Sequence, residues 1–410
     1  MNILFLSLTF SEPDHVSMYE ELLQVFRRNG DAIYVACAKE KRSKTPVGLF
    51  DHNGLKLLRI ATGNITGNIG KIEKGISTLM IDRLFLKAIK KHFSDVKFDL
   101  ILYPTPPITF LNTIASIKQR TGATTYLLLK DIFPQNAVDL GMMTKTGVRG
   151  LLYKMFRRKE KKLYAVSDYI GCMSPANVKY VLNNNPWIPR EKVEVCPNCI
   201  NCPTVDPTVR VKDAETIRKK YGIADDAVIF LYGGNLGQPQ GIPSLIKCID
   251  RLKEDNRVFF LIVGNGAHRH LIKEYIDESH PANVALVDYL PKKEYQNIAR
   301  NCDVGLIFLD HRFTIPNFPS RILACLTAAM PILVATDRNC DMGPIAQENG
   351  FGFFCESNDV EGFAKVVNDM INADRVKMGK NAWNFFLNNY TTEIGYNIII
   401  KHFQQLKNNH

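Results

Sequence analysis

The sequence has no apolar run long enough to cross a bilayer. A spanning helix needs about 18 or more consecutive apolar residues, and the nearest candidate, 100–110, is broken by Pro104, Pro106 and Pro107. The first ten residues, MNILFLSLTF, lack the basic n-region of a secretory signal and read as a buried first strand, so a cytoplasmic location is expected. A metal centre is not expected either. Cys196, Cys199 and Cys202 have two-residue spacings, but no nearby His or Cys completes a ligand set. An apolar strand end and linker explains them, and the ten cysteines are expected to be mostly reduced and buried. No internal repeat, low-complexity tract or nucleic-acid-binding module accompanies the positive charge, so no nucleic-acid partner is expected.

What is present is an ordinary globular composition, 46% hydrophobic and 23% charged, over 410 residues. That length suits two or three domains. Strand-like runs at 2–8, 32–36, 56–60, 100–103, 125–129 and 169–173 alternate with helical patterns. A second series follows at 228–232, 259–263, 284–288, 304–308 and 332–335. Several runs are apolar without alternation, as parallel strands covered on both faces should be. The fold class is therefore α/β, with two doubly wound, Rossmann-like domains. The divisions are set at 1–203, 204–385 and 386–410, the last a helical segment rich in Phe and Ile expected to return to the first domain.

The net charge of +11 is unevenly spread. Lys87, Lys90, Lys91, His92 and Lys97 form one cluster; Arg149, Lys154, Arg157, Arg158, Lys159, Lys161 and Lys162 form another, within RGLLYKMFRRKEKKLY. Leu151, Leu152, Met155, Phe156 and Leu163 recur there at near-helical spacing, which predicts an amphipathic basic helix. Such a helix suits an anionic membrane surface, with Arg157, Arg158, Lys161 and Lys162 as the expected contacts. The alternative is a core-packed helix with a solvated basic face.

Four motifs stand at strand ends of the second series. Tyr232-Gly233-Gly234-Asn235-Leu236-Gly237 follows its first strand and Gly264-Asn265-Gly266 its second. Glycines there let backbone N–H groups approach a phosphate. Asp288-Tyr289-Leu290-Pro291 comes next. Last comes Pro319-Ser320-Arg321, delivered to a helix start that Pro331 closes before another apolar run. Loops at the carboxyl ends of parallel strands bind phosphorylated ligands in open α/β sheets, and a Ser and an Arg suggest a diphosphate clamp.

In this order the motifs resemble those of the family 4 glycosyltransferases, retaining nucleotide-sugar-dependent enzymes of the GT-B architecture. The likeness is closest to bacterial members that build capsule, O-antigen and other exopolysaccharides. YGGNLGQPQGI is similar to their glycine loop, FLIVGNGAHRHLI to their nucleotide-binding turn, VDYLPKKEY to the segment beside the base, and VEVCPNCIN to the interdomain segment. The resemblance implies two domains facing a cleft and a nucleotide-sugar donor. It implies contacts from Gly234, Asn235, Leu236, Gly237, Gln240, Gly264, Asn265, Gly266, Leu290, Arg312, Ser320 and Arg321. LLLKDIFPQNAVDLG resembles the strand end bearing a catalytic-site Asp, here Asp131, which orients or deprotonates an acceptor hydroxyl; capping of the turn before Pro134 is the competing role. Lys130 beside it is a weaker candidate for a phosphate contact. Asp14 and His15 are expected on the acceptor side. No cofactor or metal is expected, since the donor is a substrate. The implied acceptor is a polyprenyl-diphosphate-linked saccharide at the inner face of the cell membrane.

The chain also departs from the family. Two glutamates eight residues apart are usual, but Pro316 and Ala324 occupy those places. A basic pair is usual in the glycine loop, but Asn235 and Gln240 occupy the corresponding places. Arg321, with Arg312, is then the expected diphosphate cation. A second reading is a weak or inactive homologue acting as a scaffold in a polysaccharide assembly complex. A third, other GT-B chemistry such as epimerisation, needs acid–base groups for which Asp14 and His15 are the candidates.

Overall fold

The computed structural model describes residues 1–11, 16–65, 71–148, 150–204 and 214–407. The chain divides into two compact units, Met1–Asn201 with Thr392 onward, and Cys202–Thr391. In the first, an eight-stranded sheet comprises β1 (Asn2–Ser7), β2 (Ala32–Glu40), β3 (Gly48–His52), β4 (Leu55–Thr62), β5 (Leu100–Pro104), β6 (Thr124–Leu129), β7 (Tyr169–Cys172) and β8 (Val193–Val195). Its order is β3-β4-β2-β1-β5-β6-β7-β8. The pairings are parallel except β3 with β4. The second unit holds β9 (Val228–Gly233), β10 (Val258–Val263), β11 (Val284–Val287), β12 (Val304–Phe308), β13 (Ile332–Thr336) and β14 (Gly352–Glu356), all parallel, in the order β11-β10-β9-β12-β13-β14.

The apolar runs explain this arrangement. Every residue of β5, β9, β10, β12 and β13 is buried, the pattern of strands covered by helices on both faces. Each sheet therefore centres its own core, Phe5, Phe26, Leu57, Leu102 and Tyr126 in one and Phe230, Phe260, Phe308 and Phe363 in the other. In both sheets the strand order reverses at the first strand, which opens a crevice at the carboxyl ends of its neighbours.

Three strands add to those read from the sequence. β3 is a short antiparallel edge strand, β8 lies in the cysteine-containing linker, and β14 holds two phenylalanines behind a glycine. The C-terminal helical pattern is two helices rather than one, Arg375–Asn389 and Thr392–Lys407. The break falls where Thr392 N–H donates to the Ile200 carbonyl at 3.1 Å and its hydroxyl to Asn201 at 2.9 Å. The last helix packs on helix Met18–Arg28, with Phe26 and Tyr396 rings 4.7 Å apart. Glu194 of β8 accepts hydrogen bonds from Tyr126 at 2.8 Å and pairs with His402 at 2.6 Å.

Candidate functional site

In the second unit, the loops after β9 and β10 lie backbone against backbone. A Cβ on Gly264 would stand 1.9 Å from the Gly234 carbonyl oxygen, and one on Gly266 would stand 2.5 Å from that of Leu236. The glycines thus have a steric task, since no side chain fits that approach. Their N–H groups are also engaged. Gly234 donates to Val263, Leu236 to Asn265 and Gly264 to Val287, all at 2.9–3.0 Å. Gly237 donates to the Gln240 side chain at 3.0 Å, and Gly266 to that of Asn265 at 2.8 Å. These bonds knit three strand ends into a floor.

Arg321 stands over that floor. Its guanidinium carbon lies 4.8 Å from the centroid of the Tyr232 ring, a stacking distance for a cation on an aromatic face. A Cβ on Gly234 would lie 3.8 Å from the guanidinium carbon, so the group rests in van der Waals range of the loop. Tyr232 is held in turn, its buried hydroxyl donating to the Asn235 carbonyl at 2.9 Å. Arg321 Nη1 is buried and makes no hydrogen bond. Buried guanidinium donors are ordinarily paired, so one held by stacking and left open suits a bound anion.

The companions expected for Arg321 are committed elsewhere. Arg312 forms a bidentate pair with Asp310, Nε to Oδ1 at 2.8 Å and Nη2 to Oδ2 at 2.7 Å. Burial would raise the Asp310 carboxyl, but hydrogen bonds from Arg312 outweigh it and hold the group below the usual carboxylate range. Gln240 is buried, and its oxygen accepts from Asn235 Nδ2 at 3.2 Å as well as from Gly237. The polar pair in the glycine loop therefore braces the loop. Leu290 lies just beyond β11, and Ser320 sits half-buried beside Arg321, its carbonyl accepting from Leu323 N–H at 3.1 Å.

Two acidic groups were missed by the sequence reading. Asp310 and Asp337 follow just after β12 and β13, where an Asp after an apolar run looks like ordinary turn chemistry. Asp337 Oδ1 accepts from the N–H groups of Asn339 and Cys340 at 2.8 and 3.1 Å, while Oδ2 is buried without a hydrogen bond. Burial raises this carboxyl to about 6.

In the first unit, Asp131 lies just past the end of β6, partly buried. Asn136 donates to its Oδ1 at 2.7 Å, and the Thr105 hydroxyl donates to its backbone carbonyl at 3.2 Å. Burial pushes the carboxyl up to about 6, against the lowering effect of hydrogen bonds from Asn136 and the Ile132 N–H. Such a carboxylate is ionised at neutral pH and a stronger base than an exposed one. Lys130 turns away, as strand alternation predicts: its buried ammonium donates to the Cys196 carbonyl at 2.8 Å, and burial lowers its pKa. Asp14 and His15 lie outside the described residues.

The basic helix Gly150–Val166 is present, with Leu163 and Glu160 buried and Phe156 packed on Phe133 at 5.0 Å. Arg157 is not one of its free charges: it bonds Glu160 at 2.6 Å and Asn185 at 2.7 Å. Arg158, Lys161 and Lys162 are exposed. Cys196 and Cys199 are buried thiols and Cys202 is exposed. Among the described residues no group of three His, Cys, Asp or Glu side chains is placed to hold a metal, and no helix is long and apolar enough to cross a membrane.

Residues 213–385 match the family described as Glycosyl transferases group 1. Over the longer chain, the probable glycosyltransferase WbjE of Pseudomonas aeruginosa is 26% identical across 311 residues, covering 75% of this chain and 74% of that one. The putative colanic acid biosynthesis glycosyl transferase WcaI of Escherichia coli K12 is 20% identical across 259 residues, covering 61% of this chain and 60% of its own. Among solved structures, sucrose-phosphate synthase from Thermosynechococcus elongatus superposes with a TM-score of 0.74 at 16% identity, covering all of both chains. Anabaena Alr3699/HepE, solved in complex with UDP, gives 0.69 at 14% identity, covering 99% of this chain and 100% of that one. The two doubly wound sheets are the fold of these solved structures, and the stretch similar to the glycosyl transferases group 1 family lies in the second unit.

Proposed function

We propose that the chain transfers a sugar from a nucleotide-sugar donor to a polyprenyl-diphosphate-linked saccharide during bacterial surface polysaccharide synthesis, with retention at the anomeric carbon. The observation that carries the donor reading is Arg321, stacked on Tyr232 with Nη1 buried and unbonded beside the glycine floor. In this reading the glycosidic C–O bond to the diphosphate breaks as the acceptor oxygen attacks the same face of the anomeric carbon. Arg321 neutralises charge gathering on the departing diphosphate, and the acceptor proton leaves with it. Asp131 orients the acceptor hydroxyl through a carboxylate that burial makes more basic. The donor is consumed as a substrate, and the reading calls for no cofactor.

The likeness to WcaI, a putative colanic acid biosynthesis glycosyl transferase, supports a polysaccharide product, and the UDP bound to HepE supports a nucleoside diphosphate as the leaving product. The test is release of nucleoside diphosphate from candidate nucleotide sugars with a lipid-linked saccharide present, followed by NMR assignment of the new linkage. An inverted anomeric centre would remove the retaining mechanism. Failure of every nucleotide to bind would favour the scaffold reading, which Pro316 and Ala324 motivate by standing where carboxylates are usual.

A further inference from the structure

Asp131 is fastened twice, once through its backbone and once through its side chain. The backbone is held by the neighbouring strand end. Thr105, buried just past β5, accepts from the Lys130 N–H at 3.2 Å through its hydroxyl and donates to the Asp131 carbonyl at 3.2 Å. The side chain is held by the turn that follows. The Asn136 N–H donates to the Ile132 carbonyl at 3.1 Å, which folds the chain back on itself. That closure brings the Asn136 amide to the carboxylate five residues earlier, where Nδ2 donates to Oδ1 at 2.7 Å.

The amide can face only one way. Its oxygen accepts from the Ala137 N–H at 2.7 Å while its nitrogen meets the carboxylate. Turned over, it would set an NH2 group against an N–H and an oxygen against an oxyanion, two repulsions in place of two bonds. Asn136 can therefore only donate to Asp131. Such a bond is charge-assisted and favours the ionised carboxylate.

The charged groups of the surrounding elements are engaged elsewhere. Lys130 donates to the Cys196 carbonyl, and Asp139 of the short helix Gln135–Asp139 accepts from Gln135 at 2.6 Å. Arg157 of Gly150–Val166 bonds Glu160 and Asn185. Burial raises the Asp131 carboxyl, and the bonds from Asn136 and the Ile132 N–H oppose it.

We propose that Asn136 is a positioning residue for the transfer: by holding Oδ1 it fixes the rotation of the Asp131 carboxylate and leaves Oδ2 to take the acceptor hydroxyl. The inference rests on the transferase reading and adds the group that aims its carboxylate. A turn cap would need only the Asn136 oxygen, and an aspartate would accept the Ala137 N–H as well. The nitrogen is the half that reaches Asp131, and it supplies a donor that stays neutral and protonated at every working pH.

The test is the pH dependence of transfer by the full chain as wild type, N136A and N136D. The donor is whichever nucleotide sugar turns over in a panel of UDP-, GDP- and dTDP-linked sugars, with a polyprenyl-diphosphate-linked saccharide as acceptor. Wild type should lose activity below about pH 6. In N136A the missing charge-assisted bond should move that limb up by about one to two pH units. Its kcat at pH 7 should fall at least about tenfold, with the donor KM unchanged. N136D sets a second carboxyl beside the first, and the pair holds one shared proton. That proton lets the new side chain donate to Oδ1 as the amide does. N136D should therefore keep more activity than N136A near pH 6 and lose it at higher pH, as the shared proton leaves.

A structural asparagine predicts no such alkaline loss. An acid limb unmoved in N136A, or an N136D profile parallel to wild type up to pH 9, overturns the proposal. Thermal melting checks the bond without turnover. N136A should cost wild type more at pH 8 than at pH 4, and should cost D131N the same at both. A cost to wild type that is equal at the two pH values also overturns the proposal. Wild type without transfer at any pH refutes the transferase reading itself, an outcome distinct from an active wild type whose profile Asn136 does not move.

Discussion

Replacing Asp131 with Asn should inactivate the protein and stabilise its first unit, and the two effects should separate with pH. Burial lifts this carboxyl from an ordinary value of 3.8 to about 6. A folded-state pKa above the unfolded one means the native state binds the proton more tightly. The cost of ionising the buried group is absent below about pH 4 and develops as pH rises through 6. A rise of that size corresponds to about 3 kcal/mol once the group is fully ionised. For a domain of this length that is roughly 6–10 °C in melting temperature. Asparagine keeps an oxygen for the Asn136 donor and has no charge to bury, so it removes the cost. The assay is thermal melting of wild type and D131N from pH 4 to pH 8. Their difference should move in favour of D131N across that range and flatten above pH 7. A difference independent of pH, or one favouring wild type at pH 8, would refute the assignment of burial as the cause. Transfer activity in wild type should fall as pH drops below about 6, because the protonated carboxyl is a poorer hydrogen-bond acceptor for orienting the acceptor hydroxyl.

Other outcomes follow from the second unit. Gly264→Ala places a Cβ 1.9 Å from the Gly234 carbonyl oxygen, so the floor must shift; calorimetric nucleotide affinity should fall at least tenfold, with a lower melting temperature. Tyr232→Leu removes the face on which Arg321 rests, and nucleotide affinity should drop by about 0.5–2 kcal/mol if the stack positions the cation. Arg312→Met breaks the pair with Asp310 and leaves a buried carboxylate without its partner. Its effect should therefore register as a lower melting temperature, with a smaller change in nucleotide affinity than Arg321→Met produces.

The fold was legible because its signal is redundant. Uninterrupted apolar runs such as 228–232 and 304–308 read as covered parallel strands wherever helical patterns separate them. What escaped was short or local: β3 pairs at an edge, and β8 and β14 are brief strands beside cysteines or a glycine. At the site, the sequence named Arg321 and the glycines, and the structure adds what surrounds each of them. Gly264 looked like a phosphate-facing turn, and its reason is the backbone that passes 1.9 Å from where a Cβ would stand. Arg312 and Arg157 looked like free cations because periodicity places a residue on a helix or loop without naming its partner. Asp310 lies two residues from Arg312, and Glu160 three from Arg157, and only side-chain direction shows that each pair closes.

The central claim is that Arg321 is the cation for a donor diphosphate. Isothermal calorimetry of UDP, GDP and dTDP against wild type and Arg321→Met tests it most directly. Loss of a charged hydrogen bond should weaken the responding nucleotide by about 1.5–3 kcal/mol, roughly 10- to 150-fold. Wild-type affinity in Arg321→Met, or no binding of any of the three by wild type, would contradict it.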